Sequence, residues 1–139
     1  MNRFCLMALV ICLSLPLATI AAPSMFPDPS KLKWVLPVRS ERLTPGTVQT
    51  RALNLPAITP LFLVGQDAVS LEWLSRHAQV LRDLGASGLA VEVADVQALR
   101  RIQAAAPGVK IWPVSGDDIA ERLELEHYPV LITATSLEQ

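Results

Sequence analysis

An α/β fold is the class this chain predicts, and three observations carry the prediction. From residue 61 onward, short apolar runs alternate with stretches whose apolar residues recur at helical spacing. Glycine or proline closes most of these segments, and aspartate stands where the helices should begin. The resulting order is β-α-β-α-β-α-β in about 80 residues, which implies right-handed crossovers and a sheet covered on both faces.

The first stretch reads as a leader. Arg3 supplies a positive start, Phe4 to Leu17 is apolar and broken by Pro16, and Ala18-Thr19-Ile20-Ala21-Ala22 offers small residues for cleavage. A secretory signal peptide over residues 1–21 is the expectation, cut after Ala21 so that Pro23 is not the first mature residue. The run is short of the roughly 20 apolar residues that a membrane span needs. Both cysteines, Cys5 and Cys12, lie within it. The exported chain would then hold about 118 residues, enough for one domain with a modest core, and would be thiol-free in an oxidising envelope. Thiol exchange, disulfides and cysteine metal ligands are excluded on that basis. Loss of Arg3 moves the net charge from -1 to about -2, and the remaining bases are scattered, so no basic field is left to hold nucleic acid.

Residues 22–59 read as a proline-rich extended arm. Seven of the eleven prolines fall between Pro23 and Pro60, and each fixes its own φ and pushes its predecessor toward extended geometry. No helix is expected here. Trp34 to Val38 and Val48 to Leu55 could pair as a short hairpin around Thr44-Pro45-Gly46, or the arm could lie on the following domain or on a partner.

Residues 60–139 are the expected domain. Leu61-Phe62-Leu63-Val64, ended by Gly65, suits a strand buried on both faces. Asp67 and Ser70 can start a helix with Leu71, Trp73, Leu74, Val80, Leu81 and Leu84 inward, stopped by Gly85. Leu89 to Val93 is a second strand. Asp95 should cap a helix whose inner stripe is Val96, Leu99, Ile102 and Ala106, ended by Pro107-Gly108. Val109 to Val114 is the third strand, and Ser115-Gly116-Asp117-Asp118 opens a short helix with Ile119, Ala120 and Leu123 inward. Tyr128 to Ile132 supplies a last strand, with Pro129 tolerated at its start.

The segments Leu61-Phe62-Leu63-Val64-Gly65, Ser70-Leu71-Glu72-Trp73-Leu74, Pro113-Val114-Ser115-Gly116-Asp117-Asp118 and His127-Tyr128-Pro129-Val130-Leu131-Ile132 together resemble a family of small exported proteins. These are encoded in bacterial integrating conjugative elements, among the genes for the element's type IV secretion apparatus. The layout is also similar to the thioredoxin-like pilin-assembly proteins of F-type conjugation systems, which carry an apolar strand after a proline and lack the redox cysteines. The resemblance implies a small thioredoxin-like domain without redox cysteines, located in the periplasm. It also implies other proteins of the conjugation apparatus as partners. Thioredoxin-like folds add a hairpin partner strand and a final helix after the proline strand. This sequence stops at Gln139, so an open edge is expected after Thr133.

The residues with chemical potential each have a plain structural reading. Asp117 and Asp118 fit the first turn of a helix, where negative charge complements the dipole, and Ser115 with Asp118 has capping-box-like spacing. His77 is read on the helical face of Trp73, Val80, Leu81 and Leu84 and is expected in or near the core. His127 precedes Tyr128-Pro129 in the loop with which a thioredoxin-like protein would touch its substrate, or helps cap the preceding helix. Trp73 and Trp112 are expected in the core, though Trp112 could line a groove, and Trp34 could anchor the arm. No Gly-x-Ser-x-Gly elbow, no phosphate loop and no short histidine ligand pair occurs. No catalytic residue, cofactor or metal is therefore assigned. The candidate surface for a protein partner is Trp112, Ser115, Asp117, Asp118, His127, Tyr128 and Pro129. The expected function is contact in pilus or channel assembly. Alternatives are a periplasmic hydrolase or metal-dependent enzyme using His127 with Asp117 or Asp118, and a ligand module with its pocket near Gly65 and Ser115.

Overall fold

The structure, a computed structural model, describes residues 27–139. The expected leader and its cleavage site lie outside the described residues. A 3-10 segment (Pro29–Val35), kinked at Leu32, precedes two short strands, β1 (Thr44–Pro45) and β2 (Arg51–Ala52). The regular part follows as β3 (Leu61–Gly65), α1 (Ala68–Asp83), β4 (Ser87–Glu92), α2 (Val96–Ala105), β5 (Ile111–Pro113) and α3 (Asp117–Leu123). It closes with β6 (His127–Tyr128), β7 (Val130–Ile132) and β8 (Ser136–Glu138). Six strands form one mixed sheet in the order β2-β8-β7-β3-β4-β5, and β1 pairs separately with β6. Strands β3, β4 and β5 run parallel, while β7, β8 and β2 alternate in direction beside them. The fold is α/β.

Strands β3, β4 and β7 each serve two cores, because successive residues face opposite sides of a sheet. Phe62, Val64, Ala90, Ile111 and Leu131 meet Trp73, Leu74 and Leu81 of α1 and Ala98, Leu99 and Ile102 of α2. Leu63, Val91, Val130, Ile132 and Leu137 meet Ala120 of α3, Leu125 and Leu43, with Val48, Leu53, Leu55 and Ile58 packed around them. Fully burying one of these leucines contributes about 2 kcal/mol. Helices α1 and α2 begin where aspartate caps them: Asp67 accepts the Ser70 N–H at 3.0 Å and Asp95 accepts the Ala98 N–H at 2.8 Å.

Several expectations are corrected. The proline-rich segment does contain a helical turn, because Pro29 opens it and no proline follows before Pro37; proline is well tolerated in a first turn. The hairpin around Thr44-Pro45-Gly46 does not form. Val38 instead bridges Val93, Thr44–Pro45 is itself strand β1, and Arg51–Ala52 pairs with Ser136 and Leu137. The apolar sheet face that α1 and α2 leave uncovered draws Val48, Leu53, Leu55 and Ile58 onto it, which an isolated two-strand hairpin could not match. The edge after Thr133 is not open either, since β8 and then β2 lie beyond β7. Thr133 makes that turn by donating its N–H to the Ser136 carbonyl at 2.9 Å and accepting the Ser136 N–H on its hydroxyl at 3.1 Å. On α1, Val80 and Leu84 point outward, 50% and 43% exposed. The inward positions are Ser70, Trp73, Leu74, Ala78 and Leu81.

Candidate functional site

In an open α/β sheet the natural binding crevice lies outside the carboxyl ends of the parallel strands. Here residues 38–46 cross that end. Val38 exchanges two backbone hydrogen bonds of 2.9 Å with Val93, just past β4. The buried Ser40 hydroxyl then donates to the Val91 carbonyl at 2.6 Å and accepts the Gly116 N–H at 2.9 Å. One side chain thus ties the end of β4 to the start of α3. The Ser40 N–H donates to the Glu92 carboxylate at 3.3 Å.

Asp117 faces this segment. Its carboxylate accepts the N–H groups of Arg42 at 2.9 Å and Glu41 at 3.2 Å. The Arg42 hydrogen bond is the main cause holding its carboxyl below the ordinary value of 3.8; burial opposes the shift, and the Glu41 and Ser115 hydrogen bonds add to it. Leu43, only 3% exposed, joins the apolar cluster beneath. Thr44 donates its N–H to the Glu126 carbonyl at 3.0 Å and Gly46 donates to the Tyr128 carbonyl at 3.1 Å, which makes the parallel β1–β6 pair.

His127 closes the far end of the segment. Its Nδ1 lies 3.1 Å from the Thr44 hydroxyl and 3.3 Å from the Thr44 carbonyl, so either tautomer finds a partner on the same residue. Gly46 is required beside it, because a Cβ there would sit 2.6 Å from the imidazole. A second close approach occurs at the end of β3, where a Cβ on Gly65 would be 2.4 Å from the Tyr128 ring. The Tyr128 hydroxyl is pushed up to about 12, first by burial and then by the charges of Asp67 and Glu92.

The predicted surface divides accordingly. Asp117 and His127 are held against the arm, while Tyr128 and Pro129 are buried beneath the outer layer and offer no contact to a partner. Ser115 and Asp118 are exposed. Trp112 is half-buried, with its indole N–H donating to the Pro27 carbonyl at 3.0 Å, and the 3-10 helix packs along its strand β5. The capping box from Ser115 to Asp118 is not formed; Gly116 is the N-cap of α3, and the Ser115 hydroxyl accepts the Asp117 N–H at 3.4 Å. His127 does not cap α3, which ends on Glu124 in the left-handed region. His77 is half-buried and stacks on Trp73 at 4.6 Å.

Asp117 and His127 sit at opposite ends of α3, a helix of seven residues that spans about 10 Å. Among the described residues, no group of three or more histidine, cysteine, aspartate or glutamate side chains could hold a metal ion. A shallow cavity of about 350 Å³ lies beside His127, lined in part by Val48, Arg51, Glu124, Glu126 and Leu137. The Arg51 guanidinium in its wall donates to the Leu123 carbonyl at the end of α3. Ser40, Leu43 and Glu92, which set the course of the arm, carry no motif. Their one sequence signal is a lone leucine in the charged stretch Arg39 to Arg42-Leu43.

Among the described residues, no helix is long and apolar enough to cross a membrane. No curated protein and no solved structure matches the chain. Residues 14–137 match a family described as a protein of unknown function, DUF2859. With most of its length matched in this way, the chain belongs to the DUF2859 family.

Proposed function

We infer that this chain is an exported, non-enzymatic accessory of the type IV secretion apparatus of an integrating conjugative element, acting by protein contact in pilus or channel assembly. The motif resemblance supplies the setting. One observation favours contact over chemistry: residues 38–46 close the carboxyl-end crevice and take up Asp117 and His127 as docking partners. A periplasmic location fits a chain whose cysteines both lie in its first 21 residues. The finer fold reading is thioredoxin-like without redox cysteines, supported by the antiparallel β7 after Pro129 and its hairpin partner β8.

The contact surface in this reading is the β2 edge, Arg51–Ala52, which is exposed and has β8 on one side only. An extended segment of another apparatus protein can add a strand there. Deleting the gene from a conjugative element should lower mating frequency, with recovery when the chain is supplied in trans. Unchanged mating frequency in the deletion strain would count against the proposal.

A further inference from the structure

We propose that the turn carrying Lys31, Lys33 and Trp34 is a docking point for an anionic lipid surface. Trp34 is 79% exposed, the largest exposed apolar side chain among the described residues. Tryptophan is usually well buried in folded proteins, and its amphipathic ring favours the boundary between water and hydrocarbon. Lys31 and Lys33 are exposed beside it, and from Asp28 to Glu41 the bases Lys31, Lys33 and Arg39 outnumber the acids Asp28 and Glu41. That local balance is opposite in sign to the chain as a whole, which is net -1. Positive charge flanking an exposed indole complements phosphate headgroups.

The turn is also held in place, so the indole is presented from a fixed position. Val35 and Leu36, immediately after Trp34, pack against the core under α1 and α2. The Leu36 N–H reaches the Lys33 carbonyl at 3.4 Å, and the Lys31 N–H reaches the Asp28 carbonyl at 2.9 Å. Upstream, the Trp112 indole fixes the Pro27 carbonyl, and downstream the Val38–Val93 bridge fixes the chain again. A preorganised apolar tip loses little entropy on insertion. The surface needed is small, and it is independent of the β2 edge assigned to protein contact.

The test uses the full chain with vesicles of phosphatidylcholine alone or mixed with phosphatidylglycerol, both containing bromine-labelled lipid. The difference in fluorescence between the wild type and Trp34→Ala isolates Trp34, and this exposed substitution leaves the core intact. The expected result is a blue-shifted Trp34 signal quenched by the anionic vesicles, weakened roughly tenfold by Lys31→Glu with Lys33→Glu or by high salt. A Trp34 signal that stays water-like and unquenched would overturn the proposal. So would a blue shift without quenching, which would place the indole in a protein contact, and so would equal quenching by both kinds of vesicle with no response to charge reversal.

Discussion

On one face of the sheet, α1 and α2 lay Trp73, Leu74, Leu81, Leu99 and Ile102 over Phe62 and Val64, all within residues 61–106. On the other, Leu63, Val91 and Ile132 are covered by the short α3, by Leu43, and by Val48, Leu53, Leu55 and Ile58 from the proline-rich segment. The first face is covered chiefly by two amphipathic helices, joined by Val38, Val35 and Leu36 of the proline-rich segment. The second needs chain from both ends of the described region. A segment whose composition suggests a tether is in this protein a wall of the core, and its polar residues close the crevice at the strand ends.

The comparison can be pressed by substitution. Leu74→Ala, fully buried on the helical face, should lower stability by about 3–4 kcal/mol and the whole domain should unfold in one denaturant transition. Leu43→Ala on the arm face should cost about 2–3 kcal/mol. Trypsin should then cut at the exposed Arg39 and Arg42 before the domain unfolds. If Leu43→Ala leaves those sites as protected as in the wild type, the second face does not depend on the arm.

Two titrations sharpen the same contrast. Tyr128, raised to about 12, favours its neutral form in the folded state, so its contribution is complete below the ordinary 10.0 and is lost as pH rises toward 12. As the single tyrosine of the chain, its ionisation can be followed by tyrosinate absorbance and should be delayed well beyond the ordinary 10.0 while the protein stays folded. Asp117 has the opposite sign. Its lowered carboxyl contributes stability above 3.8, and that contribution disappears as pH falls through the lowered value. Asp117→Ala should cost about 1 kcal/mol at neutral pH, speed cleavage at Arg39 and Arg42, and remove the acid dependence of that cleavage.

Legibility in the sequence followed the same division. Asp67 and Asp95 as caps, Gly65 as a strand end and the stripe through Trp73, Leu74 and Leu81 were readable, because periodicity and capping are local signals. Strand β8 was not, since Ser136-Leu137-Glu138 has a single apolar residue and its turn uses Thr133 and Ser136 in place of glycine or proline. The path of the arm depends on Ser40 reaching Val91 and Gly116, 51 and 76 positions away, which no pattern within the arm encodes. His127 and Asp117 were legible as unusual, but what they hold was not, because their partners are mostly backbone groups of residues 41–44.

The pairing of Arg51 with Leu137 and of Thr44 with His127 sets a timetable. As a ribosome makes the chain, strands β1 and β2 have no strand partner until His127 and Leu137 have been added. For these two pairings the strand made first waits for the strand made last, a non-local closure of the kind that slows folding.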